Sequence, residues 1–211
     1  MAFERQPMKD PVNFGKNYAV LNLDLMTILI DSVKHSPKGQ AFISNCSRWN
    51  DAVHRQDPQP LVIFTTLFFN PGRPELAEGK PFHGLVEGFD SFEAGSAAVQ
   101  IAPHFTVGDR DIVLQKTRWY AGAGNALEQI LEAQNIDTVI LSGLSLSGVV
   151  MSTVYRLFDL DYHICVISDN VLELPIDHHE NYARVILDTL LPKMNLKVIS
   201  LDEALRGLAK S

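Results

Sequence analysis

The chain has 211 residues, of which 46% are hydrophobic and 20% charged, and its formal net charge is −7. That length and composition belong to a globular domain able to bury a sizeable core. The acidic balance speaks against nucleic acid or an anionic membrane surface as a general partner, because both favour a basic face.

Residues 1–17 carry Pro7, Pro11 and Gly15 and read as an extended arm. Its first ten residues lack the apolar centre of a leader peptide, and no apolar run reaches the ~18 residues of a membrane span. The two cysteines, Cys46 and Cys165, form no disulfide framework and no metal-ligand spacing. A reducing, cytoplasmic location is the expectation.

The first strand is Tyr18 to Asp24, apolar except for Asn22, as a strand covered on both faces should be. Ser36 and Pro37 read as N-cap and first residue of a helix running to His54. Leu61–Phe68 is the second strand, followed by a long segment, 70–109, rich in Pro, Gly and Phe. Segments of that length are often functional or lid-like. Residues 111–116 form a third strand that ends in Lys116, and 123–134 carry Leu127, Ile130 and Leu131 at helical spacing.

Thr138–Leu141 is a β-branched, apolar fourth strand that turns at Gly143, with a helix from Ser147 to about Leu160. His163–Asp169 is the fifth strand, containing Cys165 in an apolar run, followed by a helix over 178–191 that Pro192 stops. Leu196–Ser200 is the sixth strand, ahead of a short terminal helix. Strands alternating with helices, with no internal repeat, predict one α/β domain over 18–211. Right-handed crossovers restrict the topology to a few doubly wound orders; the favoured one is a three-layer α/β/α sandwich on a six-stranded, mainly parallel sheet of order 3-2-1-4-5-6.

In such sheets ligands bind beyond the carboxyl ends of the strands. Asp24 and Lys116 each close an apolar strand there. Asp24 is a candidate proton donor or acceptor, or else a helix cap or ion-pair partner. Lys116 either joins it or leaves the sheet as a solvated lysine. The turn after Gly143 would point backbone N–H groups into the same crevice. Ser147 reads first as a helix cap; neither it nor Ser145 lies in a G-x-S-x-G elbow. His178 and His179 at a helix start read as surface or capping residues. Phe68, Phe69, Phe82, Trp119 and Tyr120 gather near strand ends and either wall a small-molecule pocket or pack the loops. Arg73 is a candidate carboxylate clamp or a solvated loop arginine. No phosphate-binding glycine loop follows any strand.

Four stretches, in this order and spacing, carry a resemblance. They are Asp24 closing the first strand, Lys116-Thr117-Arg118-Trp119-Tyr120-Ala121-Gly122 after the third, the Gly124-x-x-Leu127 helix start, and Gly143 with Val149-Val150 and Thr153. Ser168-Asp169 and His178-His179 fit the same pattern. With them, nearly the whole chain resembles the isochorismatase-like hydrolase superfamily. Most of that superfamily are cysteine amidases with an Asp-Lys-Cys triad, and the resemblance puts Val149 at the nucleophile's position. The metal-binding residues of nicotinamidases find no match after the second strand, so no metal and no cofactor are implied.

The branch without the cysteine, the true isochorismatases, cleaves a vinyl ether. By that resemblance, Asp24 would protonate the enolpyruvyl methylene carbon of isochorismate or a similar small carboxylated substrate. Water would capture the oxocarbenium, and Lys116 would bind a carboxylate and tune Asp24. Phe68, Asn70, Arg73, Trp119, Tyr120, Leu144, Ser145 and Gly148 would contact substrate, with a cis peptide at Leu144–Ser145. The alternatives are a catalytically silent small-molecule-binding member of the fold and an amide hydrolase using Ser145 or Ser147. The resemblance further implies a homo-oligomer, dimer or tetramer.

Overall fold

The structure, a computed structural model, describes residues 12–87 and 92–211. Most of the predicted arm, residues 1–11, lies outside them. Within the described part of this arm, Val12 and Phe14 are buried in the core.

Six parallel strands form one sheet in the order β3-β2-β1-β4-β5-β6, as the alternation predicts. They are β1 (Tyr18–Leu23), β2 (Leu61–Leu67), β3 (Ile112–Lys116), β4 (Thr138–Leu144), β5 (His163–Leu172) and β6 (Lys197–Ile199). The two central strands, β1 and β4, are buried at every position. Side chains alternate across them. Val20, Phe64, Ile140 and Cys165 pack against α2 (Pro37–His54) and α8 (Leu201–Leu208). Leu21, Ile63, Val139 and Val166 face the other layer, which comprises α4 (Leu127–Ala133), α5 (Met151–Asp159), α6 (His179–Val185) and α7 (Leu191–Lys193).

The caps are local. Ser36 accepts from the Gly39 N–H at 3.0 Å at the start of α2, with Pro37 at its first position. Ser200 and Glu203 form a reciprocal capping box on α8.

Several elements differ from the sequence expectation. A helix, α1 (Thr27–Val33), follows β1, where β-branched Thr27, Ile28 and Ile30 gave no helical pattern; it forms because Ile30 and Val33 are buried. The segment 70–109 is not wholly irregular. It holds α3 (Pro81–Val86) and a short turn at Ala97–Val99, and bridges pair Phe69 with Glu93 and Met26 with Ile101. β4 continues to Leu144 and β5 to Leu172, three residues beyond expectation in each case. The register between them shifts between Leu141 and Gly143, so the two strands stay paired past the irregularity. The chain then enters α5 through a wide π-type turn, Leu146–Val150.

Candidate active site

Asp24 and Lys116 meet at the carboxyl edge of the sheet. β2 lies between their strands, so the two backbones stand about 10 Å apart. The length of the lysine closes the gap: its Nζ lies 2.7 Å from Asp24 Oδ2 and donates to the Arg118 carbonyl at 2.9 Å. Thr65, on the intervening strand, donates its hydroxyl to Asp24 Oδ1 at 2.8 Å, and its backbone and side-chain oxygens both face the Asp24 N–H at 3.2 Å. Asp24 departs from the strand with φ +56°, a left-handed conformation that aspartate tolerates better than most residues.

Asp24 is 5% exposed and Lys116 1%. Burial pushes the Asp24 carboxyl above its ordinary value, against the opposing pull of Lys116 and Thr65. Burial likewise pushes the Lys116 ammonium down, against the attraction of Asp24.

Asp24 opens into a cavity of about 520 Å³. Most of its wall is apolar: Met26 and Leu29 from the start of α1, Leu67 from the end of β2, Phe82, Leu85 and Val86 from α3, and Phe92, Trp119, Leu144 and Val149. Its polar wall, besides Asp24, is Ser32, Ser145, Ser147 and Glu173. A cavity of about 570 Å³ at the opposite end of the sheet, beside Thr138 and His163, contains none of the residues expected to catalyse or to contact substrate.

Val149, which the resemblance assigns to the nucleophile position, is 1% exposed and lies in the wall that also holds Asp24. The Leu144–Ser145 peptide is cis, as the resemblance implies. Gly148 lies tightly under this turn: a Cβ there would stand 2.5 Å from Ser145 Oγ and 3.3 Å from the Trp119 ring. Trp119 is 44% exposed and meets Phe82 edge-on, with ring centres 6.4 Å apart.

Other expected contacts fall elsewhere. The Tyr120 hydroxyl donates to Glu128, which Arg156 also grips, so Tyr120 is held on the α4–α5 side and does not line the cavity. Asn70 is exposed and bonded to Glu75, and Arg73 lies in the same loop; neither reaches the cavity wall. Phe68 packs among Met26, Phe69 and Val99, behind the wall. The carboxylate clamp expected of Arg73 is therefore not part of this cavity.

Two polar residues escaped the sequence reading. Thr65 sits inside an apolar run and becomes informative only when β2 is placed next to β1. Glu173 follows β5 and is 2% exposed. Its carboxylate accepts the Ser147 N–H at 2.7 Å and the Leu174 N–H at 2.9 Å, and its own N–H donates to His179 Nδ1 at 3.3 Å. Burial pushes the His179 imidazole below its ordinary value. Ser147, read as a capping residue, makes no side-chain cap; Glu173 satisfies its backbone instead. Among the described residues, no group of three or more His, Cys, Asp or Glu side chains is placed to hold a metal ion.

The family profile described as "Isochorismatase domain" matches residues 18–201. An uncharacterized isochorismatase family protein of Bacillus subtilis (strain 168), YwoC, is 31% identical over 126 residues, 60% of this chain and 65% of that protein. N-carbamoylsarcosine amidase from an Arthrobacter species is 26% identical over 157 residues, 72% of this chain and 58% of that protein. The matches thus span less than two thirds of the length of either relative. A cysteine hydrolase from Pseudomonas syringae pv. phaseolicola 1448A superposes with a TM-score of 0.80 at 14% identity, over 96% of this chain and 98% of that one, a likeness of fold.

Proposed function

Because the chain belongs to the isochorismatase family of hydrolases, we propose that it hydrolyses a small molecule by acid–base chemistry at Asp24, without a covalent nucleophile. The observation that carries this reading is a buried carboxylate, paired with Lys116, facing an apolar cavity whose wall holds Val149. Valine has no atom that can attack a carbonyl, whereas a carboxyl group whose proton affinity is raised by burial can serve as a general acid.

The reaction that fits these parts is cleavage of a vinyl ether. Asp24 gives its proton to the terminal carbon of the double bond, and the electron pair of that bond forms the new C–H bond. The oxocarbenium left behind is stabilised by the newly ionised Asp24, and Lys116 limits the cost of that charge. Water adds to the cation and returns a proton to Asp24. The hemiketal or hemiacetal then collapses to a carbonyl compound and an alcohol. Isochorismate is the reference substrate for this chemistry. Its carboxylates gain no support from Lys116, which is committed to Asp24, or from Arg73, which lies off the cavity.

The experiment is to assay carbonyl release from isochorismate and from uncharged vinyl ethers such as phenyl vinyl ether, run in D2O. The wild type is expected to release a product carrying one deuterium in its new methyl group. Asp24→Asn is expected to lose at least about a hundredfold in rate, the usual contribution of a positioned acid. Undiminished turnover by Asp24→Asn would overturn the assignment.

A second reading, amide hydrolysis, is favoured by the similarity to N-carbamoylsarcosine amidase. Ser145 and Ser147 line the cavity. Against them, neither hydroxyl is hydrogen-bonded to a base among the described residues, and Lys116 is spent on Asp24. Amidase activity present in the wild type and absent from a Ser145→Ala, Ser147→Ala double variant would establish this second reading.

A further inference from the structure

We infer that this cavity selects an uncharged, largely apolar substrate and turns anions away, and that Glu173 sets the preference. The inference rests on the reading of the cavity as a hydrolytic site and specifies what that site takes.

An anionic substrate needs either an unspent cation or free N–H groups. Among the described residues, the cavity wall contains no lysine, arginine or histidine. Lys116, behind Asp24, has its ammonium 2.7 Å from a carboxylate oxygen and 2.9 Å from a carbonyl. A charge so closely matched exerts little net attraction on a second carboxylate farther off. Arg118 follows in sequence, but its guanidinium donates to the carbonyls of Thr117 and Glu75 and lies 4.9 Å over the Phe82 ring.

Of the second resource, backbone donors, the protein itself takes part. The turn from β4 into α5 is where N–H groups would receive an anion. There the Ser147 N–H is already bonded to one oxygen of Glu173 at 2.7 Å, and just after β5 the Leu174 N–H bonds the other at 2.9 Å. Glu173 therefore supplies the carboxylate that an anionic substrate would otherwise bring. An arriving carboxylate would lose its water, find no unpaired cation, and face Asp24 and Glu173 across an apolar space. An uncharged molecule loses little on entry and gains contact with Leu29, Phe82, Trp119 and Val149.

The test is equilibrium binding to the intact protein, read by tryptophan fluorescence with Trp119→Phe identifying the signal from the cavity. Benzamide and benzoate are the probes, since they share a ring and differ in charge. Benzamide is expected to bind at least about tenfold more tightly than benzoate. Glu173→Gln, which removes the charge and keeps one acceptor, is expected to bring the two affinities within about threefold of each other. Leu85→Lys, at a wall position that is 44% exposed, places a cation at the mouth without disturbing the core and is expected to shift the ratio toward benzoate by at least threefold. Benzoate binding as tightly as benzamide would overturn the inference. So would a ratio unmoved in folded Glu173→Gln or in Leu85→Lys, or failure of both probes to bind. Binding requires no turnover, so loss of the hydrolase reading would appear in the carbonyl assay while this selectivity stood or fell by itself.

Discussion

Asp24 and Lys116 stabilise each other against a burial that neither would survive alone. Removing one partner of such a pair leaves an unpaired charge in the interior and typically costs about 3–5 kcal/mol. Lys116→Met is expected to lose stability of that order near pH 7, measured by urea denaturation. The sign of the pH dependence follows from the raised Asp24 carboxyl. Its folded state holds a proton more tightly than the unfolded chain, so its contribution is fully present below about pH 3.8 and is lost as pH rises through the folded value. The deficit of Lys116→Met should therefore shrink toward acid pH, where Asp24 is neutral. A deficit constant from pH 4 to 8 would contradict the pairing. Activity carries the same signature. If Asp24 acts as the acid, kcat/KM falls as pH rises through its raised value, and in any residually active Lys116→Met protein that limb moves to higher pH.

At the scale of elements, the site depends on how closely strands approach each other. Gly143 on β4 lies opposite Leu23 of β1, and a Cβ there would stand 2.6 Å from the Leu23 backbone oxygen and its Cβ. That contact is between backbone and a side-chain root, which cannot swing away. Gly143→Ala is expected to cost about 1–3 kcal/mol through overpacking and to displace the turn carrying Ser145 and Ser147. Denaturation would give the first effect and loss of benzamide binding the second. In sequence this glycine reads as the turn, but β4 runs on through it to Leu144. Its role in close strand packing depends on the parallel neighbour, which no local pattern names. The helix Thr27–Val33 was missed for a related reason: its residues have weak intrinsic helicity, and burial of Ile30 and Val33 decides its state.

Across the whole molecule, stability is unevenly distributed. β1 and β4 are buried at every position and paired on both edges, whereas α3 buries only Val86 and forms one wall of the cavity. Native-state hydrogen exchange should show amides of Val20–Leu23 and Val139–Leu141 opening only with global unfolding, and those of α3 opening orders of magnitude more readily. Binding of benzamide should slow exchange in α3 and leave β1 unchanged. Exchange in α3 as slow as in β1 would show that this wall is not a separable unit. Among the described residues, no helix is long and apolar enough to cross a membrane.

The sequence by itself determined the six strands and the helices that cross between most of them, the parallel sheet and the two strand ends that carry Asp24 and Lys116. Those features are written in local chemistry: apolar runs, the Ser36-Pro37 start, and charged residues at the ends of buried strands. Only the tertiary structure decided that the aspartate and lysine touch, since β2 separates them and a side chain must span the gap. It also sent Tyr120 to Glu128, moved Arg73 off the cavity, and brought in Thr65 and Glu173. Glu173 lies 149 residues from Asp24 in sequence (173 − 24). Its carboxylate gains meaning from two N–H groups that exist as a pair only where the turn after β4 passes the end of β5. Periodicity reports which face of an element is buried. The polar contacts that define a site depend on which elements become neighbours, and that is settled by the packing of the sheet.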